Sequence, residues 1–420
     1  MKTIPYILLC LCCLPLRAQR NYVYDTERVR SLQLITDGDP LLPPVLRMGS
    51  RQQLELSFDL MGHEYHRLLY RISHCPWDWG SPDGESLFES DYLAGLNGQP
   101  IDDYDTSFNT TQLYTHYRLT LPDKDTRLLL SGNYRIEVFD EDDYGDREAT
   151  PLLKAEFCVA EAAMSVSAQV SPNTDVDFNA SHQQLTYSVS YGSLPVTDPQ
   201  RELHTIVRQN RRGDNAVVDL KPNIIKPQGI EFTHRRELIF NASNEFHKFE
   251  TIDMHRPKLN VDNLRWREPF YYFTLFPDQP PRTYTYDQDQ NGAFILRNAE
   301  YDDEELTSEY AWVTFTLLSP ERLSGGEVYV CGLWTNGDWD PLCLMQWDEA
   351  NSQYTASVYL KQGYYSYQYR QLSADGKTGL TQQTEGDFSE AENEYTVLVY
   401  YRKLGDRYDR LVNYSTVNYR

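Results

Sequence analysis

Few side chains in this 420-residue chain stand at the spacings that chemistry requires. His63-Glu64-Tyr65-His66 offers two imidazoles and a carboxylate, but two residues separate the histidines where a helical zinc pair needs three. On a strand or turn they cannot both face one ion. Asp287-Gln288-Asp289-Gln290-Asn291-Gly292 imitates the start of a calcium loop, with glycine at the sixth position. Its twelfth position is Asn298, which lacks the bidentate carboxylate, so a hairpin turn built on Asn-Gly is the better reading. The sequence has neither a Gly-x-Ser-x-Gly elbow nor a Gly-rich phosphate loop, and Cys75 and Cys158 lack a catalytic setting. Carboxylates are abundant, yet spacing along the chain does not report whether two flank a glycosidic bond. Arg212-Gly213-Asp214 reads as a polar turn. The sequence therefore points to a non-enzymatic protein, with no catalytic residue, no metal and no cofactor.

Recognition chemistry is richer. Trp77-Asp78-Trp79 follows Pro76 and precedes Gly80-Ser81-Pro82-Asp83, which places it on a rigid loop. Its rings either cap the end of a β-sandwich as core or join Asp102, Asp103 and Tyr104 in a contact surface. The surface is the expectation taken forward, because aromatic anchors bring large area at low entropic cost. Trp334 and Trp339 frame Thr335-Asn336-Gly337-Asp338. A sugar ring stacked on an indole, with Asn336 and Asp338 binding its hydroxyls, is one use of that group. The other is structural, with one tryptophan in a core and the second over a turn.

Strands must position these residues. The chain has 32 tyrosines, short β-branched and aromatic runs, and turn clusters of Gly, Pro, Asn and Asp between them. Long helical periodicity is missing. The expected fold class is all-β, a tandem of immunoglobulin-like sandwiches spanning 19–161, 162–310 and 311–420. Gln53–Gly62 and Tyr65–Cys75 read as a hairpin closed at Gly62-His63, and the run from Tyr354 to Leu372 reads as a second, tyrosine-rich one.

Residues 1–18 have one lysine, a short apolar run and Leu16-Arg17-Ala18 ahead of Gln19, the pattern of a cleaved signal peptide. Cys10, Cys12 and Cys13 lack the small residue that precedes a lipidated cysteine. No later segment approaches a membrane helix, and mean hydropathy is -0.61. After cleavage Cys75, Cys158, Cys331 and Cys343 remain; the last two either pair across a hairpin or stay as buried thiols. The whole chain carries a net charge of -23. Nucleic acid and anionic lipid head groups are excluded as partners on that balance, and no small-molecule substrate is expected.

Four segments carry a resemblance: Arg71–Pro122, Leu130–Asp143 (LSGNYRIEVFDEDD), Arg236–Glu250 (RELIFNASNEFHKFE) and Glu385–Arg402 (EGDFSEAENEYTVLVYYR). Together they resemble the plug protein family of the Bacteroidetes type IX secretion system across the mature chain. The resemblance implies a periplasmic β-domain protein, peripheral to the outer membrane, that docks on the translocon barrel and closes its periplasmic end. The third module, with its Gly-Leu-Trp loop and Asp-Trp-Asp turn, is similar to early-set immunoglobulin-like domains, starch-binding modules among them. This second resemblance implies a carbohydrate-binding alternative at Trp334, Asn336, Asp338 and Trp339.

Overall fold

The computed structural model describes residues 21–82, 85–146 and 148–419. The proposed signal peptide, 1–18, lies outside these residues. Among them no helix is long and apolar enough to cross a membrane.

Alternating apolar residues build a first sandwich from Tyr22 to Ala160. One sheet runs Tyr22–Val23, Leu153–Ala160, Gly132–Asp140, Leu68–Cys75, Gln99–Pro100, with Val45–Arg47 parallel to Leu153–Ala160. The facing sheet runs Val29–Thr36, Leu54–Met61, Tyr114–Leu121, Asp103–Thr106. Leu54, Leu56, Phe58, Ile72, Ile136 and Phe157 fill the space between them. The expected hairpin does not form. Leu54–Met61 and Leu68–Cys75 each have two partners in opposite sheets, and the chain between them crosses the sandwich. Both strands are buried along nearly their whole length, so neither has an open edge to offer the other.

The other two sandwiches divide the chain differently from the boundaries 162–310 and 311–420. Ser165–Ser171, His182–Ser190, Gly229–Phe232 and Ile224–Lys226 form one sheet of the second sandwich. Its facing sheet is Val217–Val218, Leu203–Gln209, Asn393–Tyr401, Arg410–Tyr419, so the last strands of the chain complete the middle of it. The third sandwich is an insertion between Ile239–Asn241 and Asn393–Tyr401. One sheet runs Val261–Arg267, Phe270–Leu275, Tyr310–Leu318, Gln353–Lys361, Gln346–Asp348. Opposite it, Gly363–Leu372 gathers His247–Glu250, Phe294–Leu296, Val328–Cys331 and Gly379–Leu380. The tyrosine-rich run is again no hairpin: at Gln362 the chain steps from one sheet to the other. Tyr365, Tyr367 and Tyr369 then point into the core against Phe249 and Phe315.

A buried polar cluster joins the first and third sandwiches. Lys361 Nζ lies 2.6 Å from Asp59 Oδ2, and both side chains have no solvent exposure. The same carboxylate accepts from the Tyr310 hydroxyl at 2.6 Å and sits 2.6 Å from His116 Nδ1. Burial alone would raise the Asp59 pKa, but Lys361 and His116 outweigh it and hold the carboxyl below its usual range. Beside this cluster, Glu309 accepts from the Thr111 amide and hydroxyl and the Gln112 amide. Removing one partner of a buried pair strands the other, at a cost of about 3–5 kcal/mol. We expect Lys361→Ala to lower the urea midpoint accordingly, and Lys361→Met with Asp59→Leu to recover much of the loss. A Lys361→Ala protein as stable as the parent would mean the pair does not hold the junction.

Candidate partner-binding site

Trp77 and Trp79 do not join Asp102, Asp103 and Tyr104. The tryptophans follow Cys75 at one end of Leu68–Cys75, whereas Pro100 pairs with Leu69 at the other end. Six residues of strand separate those ends, roughly 20 Å. Trp79 is 1% exposed, at φ 57°, within an apolar cluster of Cys75, Cys158, Ile206, Leu398, Tyr400 and Leu411. Trp77 stacks on His204 with ring centroids 4.2 Å apart, and its amide donates to Asp409. The pair is the core of the junction between the first and second sandwiches, because strand Leu203–Gln209 lies where solvent was expected. Asp78 turns back to accept from the Gly80 amide.

That junction is closely fitted. His74 Nδ1 lies 2.5 Å from Glu85, whose other oxygen accepts the Asp409 amide. Gly132 takes φ 134°, and a Cβ there would meet His74 Nε2 at 2.4 Å and the Asp409 carbonyl at 2.8 Å. Arg410 and Glu161 close its rim at 2.6 Å.

Asp102, Asp103 and Tyr104 are exposed, as a contact surface requires. Asp103–Thr106 is an edge strand, all four residues open to solvent. Tyr104 packs between Tyr65 and Tyr117 at centroid distances of 5.2 and 5.5 Å. Arg118 holds Asp103 and Asp105 at 2.8 Å each. Phe108, 47% exposed, extends the patch toward the third sandwich. The result is an aromatic and acidic edge on a rigid support.

The carbohydrate group is consumed internally. Trp334 donates its Nε1–H to the Ser366 carbonyl and stacks against Phe315, and Trp339 donates to the Lys377 carbonyl. The Asn336 amide accepts from the Val23 N–H at 2.7 Å and donates to the Val23 carbonyl at 2.9 Å, acting as a strand partner for the first sandwich. Asp338 lines a cleft of about 170 Å³ where the three sandwiches meet, with Leu34, Pro43, Arg208, Arg211 and Leu333. No stacking platform is assembled from these four residues.

The motif-like residues resolve similarly. His63 bonds to Ser107 and His66 faces Asp140, so the two histidines have separate partners. Asn291 and Gly292 both take positive φ in a turn closed by Ala293 N–H to Gln290 O, but no strand precedes it to make a hairpin. Arg212-Gly213-Asp214 is a polar turn whose charged side chains are buried: Arg212 and Asp214 pair at 2.6 Å, with Arg370 beside them, between the second and third sandwiches. Cys331 and Cys343 are free, buried thiols, as are Cys75 and Cys158.

One site escaped the sequence reading. The chain enters the third sandwich through residues 242–247 and leaves it through 381–393, and the two crossings lie side by side. His247 stands between Glu385 at 2.9 Å and Asp278 at 3.3 Å, and Asp278 also accepts from the Tyr367 and Tyr369 hydroxyls. Glu245 accepts from the Tyr284 hydroxyl and the Glu392 amide. Segments 236–250 and 385–402 were singled out in the sequence only for a family resemblance, and nothing in them said that the two crossings lie together.

The family description "Type 9 secretion system plug protein 1st domain" matches residues 29–161. A solved structure of a hypothetical protein from Parabacteroides merdae is 36% identical, with a TM-score of 0.90, covering 96% of this chain and 99% of that one. This chain belongs to the type 9 secretion system plug family. The family description matches the first sandwich, and the Parabacteroides likeness extends over the inserted and split ones as well. A putative membrane anchored protein from Corynebacterium diphtheriae aligns at 9% identity and a TM-score of 0.13, covering 96% of each chain, which carries no argument. No curated protein matches.

The crossings titrate in one direction. Burial disfavours the His247 imidazolium, but Glu385 and Asp278 outweigh it and lift the pKa from 6.5 to about 9. Burial, with Asp289 and Glu392 nearby, pushes Glu245 from 4.5 up to about 7, against the Tyr284 and Glu392 hydrogen bonds. Both groups bind protons more tightly when folded, so their contributions are lost as pH rises. The His247 contribution is complete below pH 6.5 and is lost through about pH 9; that of Glu245 is complete below 4.5 and is lost through about 7. Urea unfolding across this range should show stability falling with pH. His247→Gln should flatten the alkaline part and Glu245→Gln the acid part. Unaltered slopes in both variants would assign the titration elsewhere.

Proposed function

We propose that this protein is a non-catalytic periplasmic accessory of the type IX secretion machinery, which docks on the outer-membrane translocon barrel and closes its periplasmic end between transport events. Family membership supports the secretion role. The observation that carries the sealing role is that every pair of sandwiches shares a buried junction: Asp59 with Lys361, Trp79 with Ile206 and Leu398, and Asp214 with Arg370. A pore wide enough for folded cargo leaks unless the body in its mouth is stiff. Domains joined only by linkers move relative to one another by default.

The docking residues in this reading are Asp102, Asp103 and Tyr104, with Tyr65 and Phe108 beside them. Trp77 and Trp79 serve it only by holding the first sandwich in place.

Two measurements test the reading. Deleting the gene should raise outer-membrane permeability to large dyes while substrate export continues, and the leak should vanish when the translocon is also deleted. Unchanged permeability with a normally expressed translocon would overturn sealing. Tyr104→Ala with Asp103→Lys should weaken co-purification with the barrel about tenfold or more at an unchanged melting temperature, since anchor residues contribute about 2 kcal/mol. Trp79→Ala should do the reverse, lowering stability by about 3–5 kcal/mol. Normal barrel binding by the Tyr104 variant would move the contact to another face.

A further inference from the structure

Strand Val261–Arg267 is the outermost strand of its sheet in the third sandwich, paired on one side only, with Phe270–Leu275. Among the described residues, no further backbone partner meets positions 262–267. Such an edge exposes a row of unpaired N–H and C=O groups, the template on which a foreign strand adds.

The side chains specify what could add. Leu264 and Tyr271 pack on the core, and Trp266 lies over Tyr271 at 4.6 Å while remaining 47% exposed. Arg265 and Arg267 stand on the opposite face, where their cross-strand neighbours are Tyr272 and Phe270. The Arg267 guanidinium lies 5.9 Å from the Tyr272 ring, and both arginines are exposed. Among the described residues, neither forms an ion pair. In a chain with 62 acidic and 39 basic residues, two exposed arginines outside any ion pair stand out on a free sheet edge, although Glu268 follows Arg267 in the turn and offsets part of their charge. Asp262 falls at the register shift between Val261 and Asn263, at the far end of the strand.

We propose that this edge docks an extended acidic segment of a partner polypeptide as an added strand, its carboxylates at alternate positions facing Arg265 and Arg267 and its apolar residues covering Trp266. Period-two alternation in the guest follows from the pleat, because successive residues face opposite sides of the sheet. Carboxylates placed beside the two arginines gain cross-strand pairs, whereas basic residues there would be repelled. The inference does not depend on the translocon reading: it concerns a different sandwich, and the permeability phenotype can fail without touching it.

The test uses the full mature chain and a fluorescently labelled eight-residue peptide alternating glutamate and valine. Anisotropy should show saturable binding that weakens with added salt. The lysine-valine counterpart should bind at least tenfold more weakly, and so should a glutamate-valine peptide N-methylated on alternate amides, which cannot complete the ladder. Arg265→Glu with Arg267→Glu should reverse the preference between the glutamate and lysine peptides without shifting the melting temperature. A doubly substituted protein that binds the glutamate peptide as the parent does would overturn the proposal, as would equal binding of the N-methylated peptide. Sedimentation velocity decides the rival occupant: a dimer that the double substitution dissociates would assign the edge to a second copy of this chain and overturn the partner strand.

Discussion

An ammonium group taken out of water must be met by a carboxylate, and Lys361 imposes that condition on the whole molecule. Its partner, Asp59, belongs to another sandwich some 300 residues earlier in the chain. The Tyr114 ring lies 4.1 Å from the ammonium, and the Glu305 carbonyl accepts a hydrogen bond from it. An apolar interface tolerates sliding; a buried ion pair with satisfied hydrogen bonds does not, because a shift of one residue strands a charge. Once the first and third sandwiches are fixed in this way, the second has little freedom. It is tied to the third by two crossings and to the first by Trp79 and the Glu161–Arg410 pair.

This arrangement changes what the prominent residues mean. Trp77, Trp79, Trp334, Trp339 and Asn336 all had the look of recognition residues, and all hold the protein to itself. The residues left facing solvent are plainer: an acidic edge with Tyr104, and an edge with Trp266 and two arginines. Both are sheet edges, and a rigid body offers its edges to partners at low entropic cost because their backbone is already ordered.

The sequence revealed the all-β class, because alternation along strands such as Leu54–Met61 is local information. It did not reveal which strands share a sheet. Leu54–Met61 followed by Leu68–Cys75 has the same local signature whether the chain turns back on itself or crosses to the facing sheet; burial of both strands on both faces decides, and burial is a tertiary fact. The split second sandwich was invisible for the same reason, since nothing in Asn393–Tyr401 says that Tyr395 pairs with Gln209 and Tyr401 with Leu203. Asp102–Tyr104 could be read as surface because a run of acids marks a solvated edge. Trp77–Trp79 could not, because proline and tryptophan report a rigid loop without saying what packs on it.

The insertion has a consequence for how the chain comes into being. Leu203–Gln209 waits for Asn393–Tyr401, whose residues are made nearly two hundred positions later. Closing so long a loop as open chain is slow, and until it closes Val207 and Leu203 lack the neighbours that cover them. If the third sandwich folds first, its two ends emerge side by side at His247 and Glu385 and the effective loop shrinks to a few residues. The inserted sandwich then acts as an internal clamp for its host, and the pairing of Asn393–Tyr401 and Arg410–Tyr419 becomes the closing step of the second sandwich, which stays unfinished and edge-exposed until those strands are made.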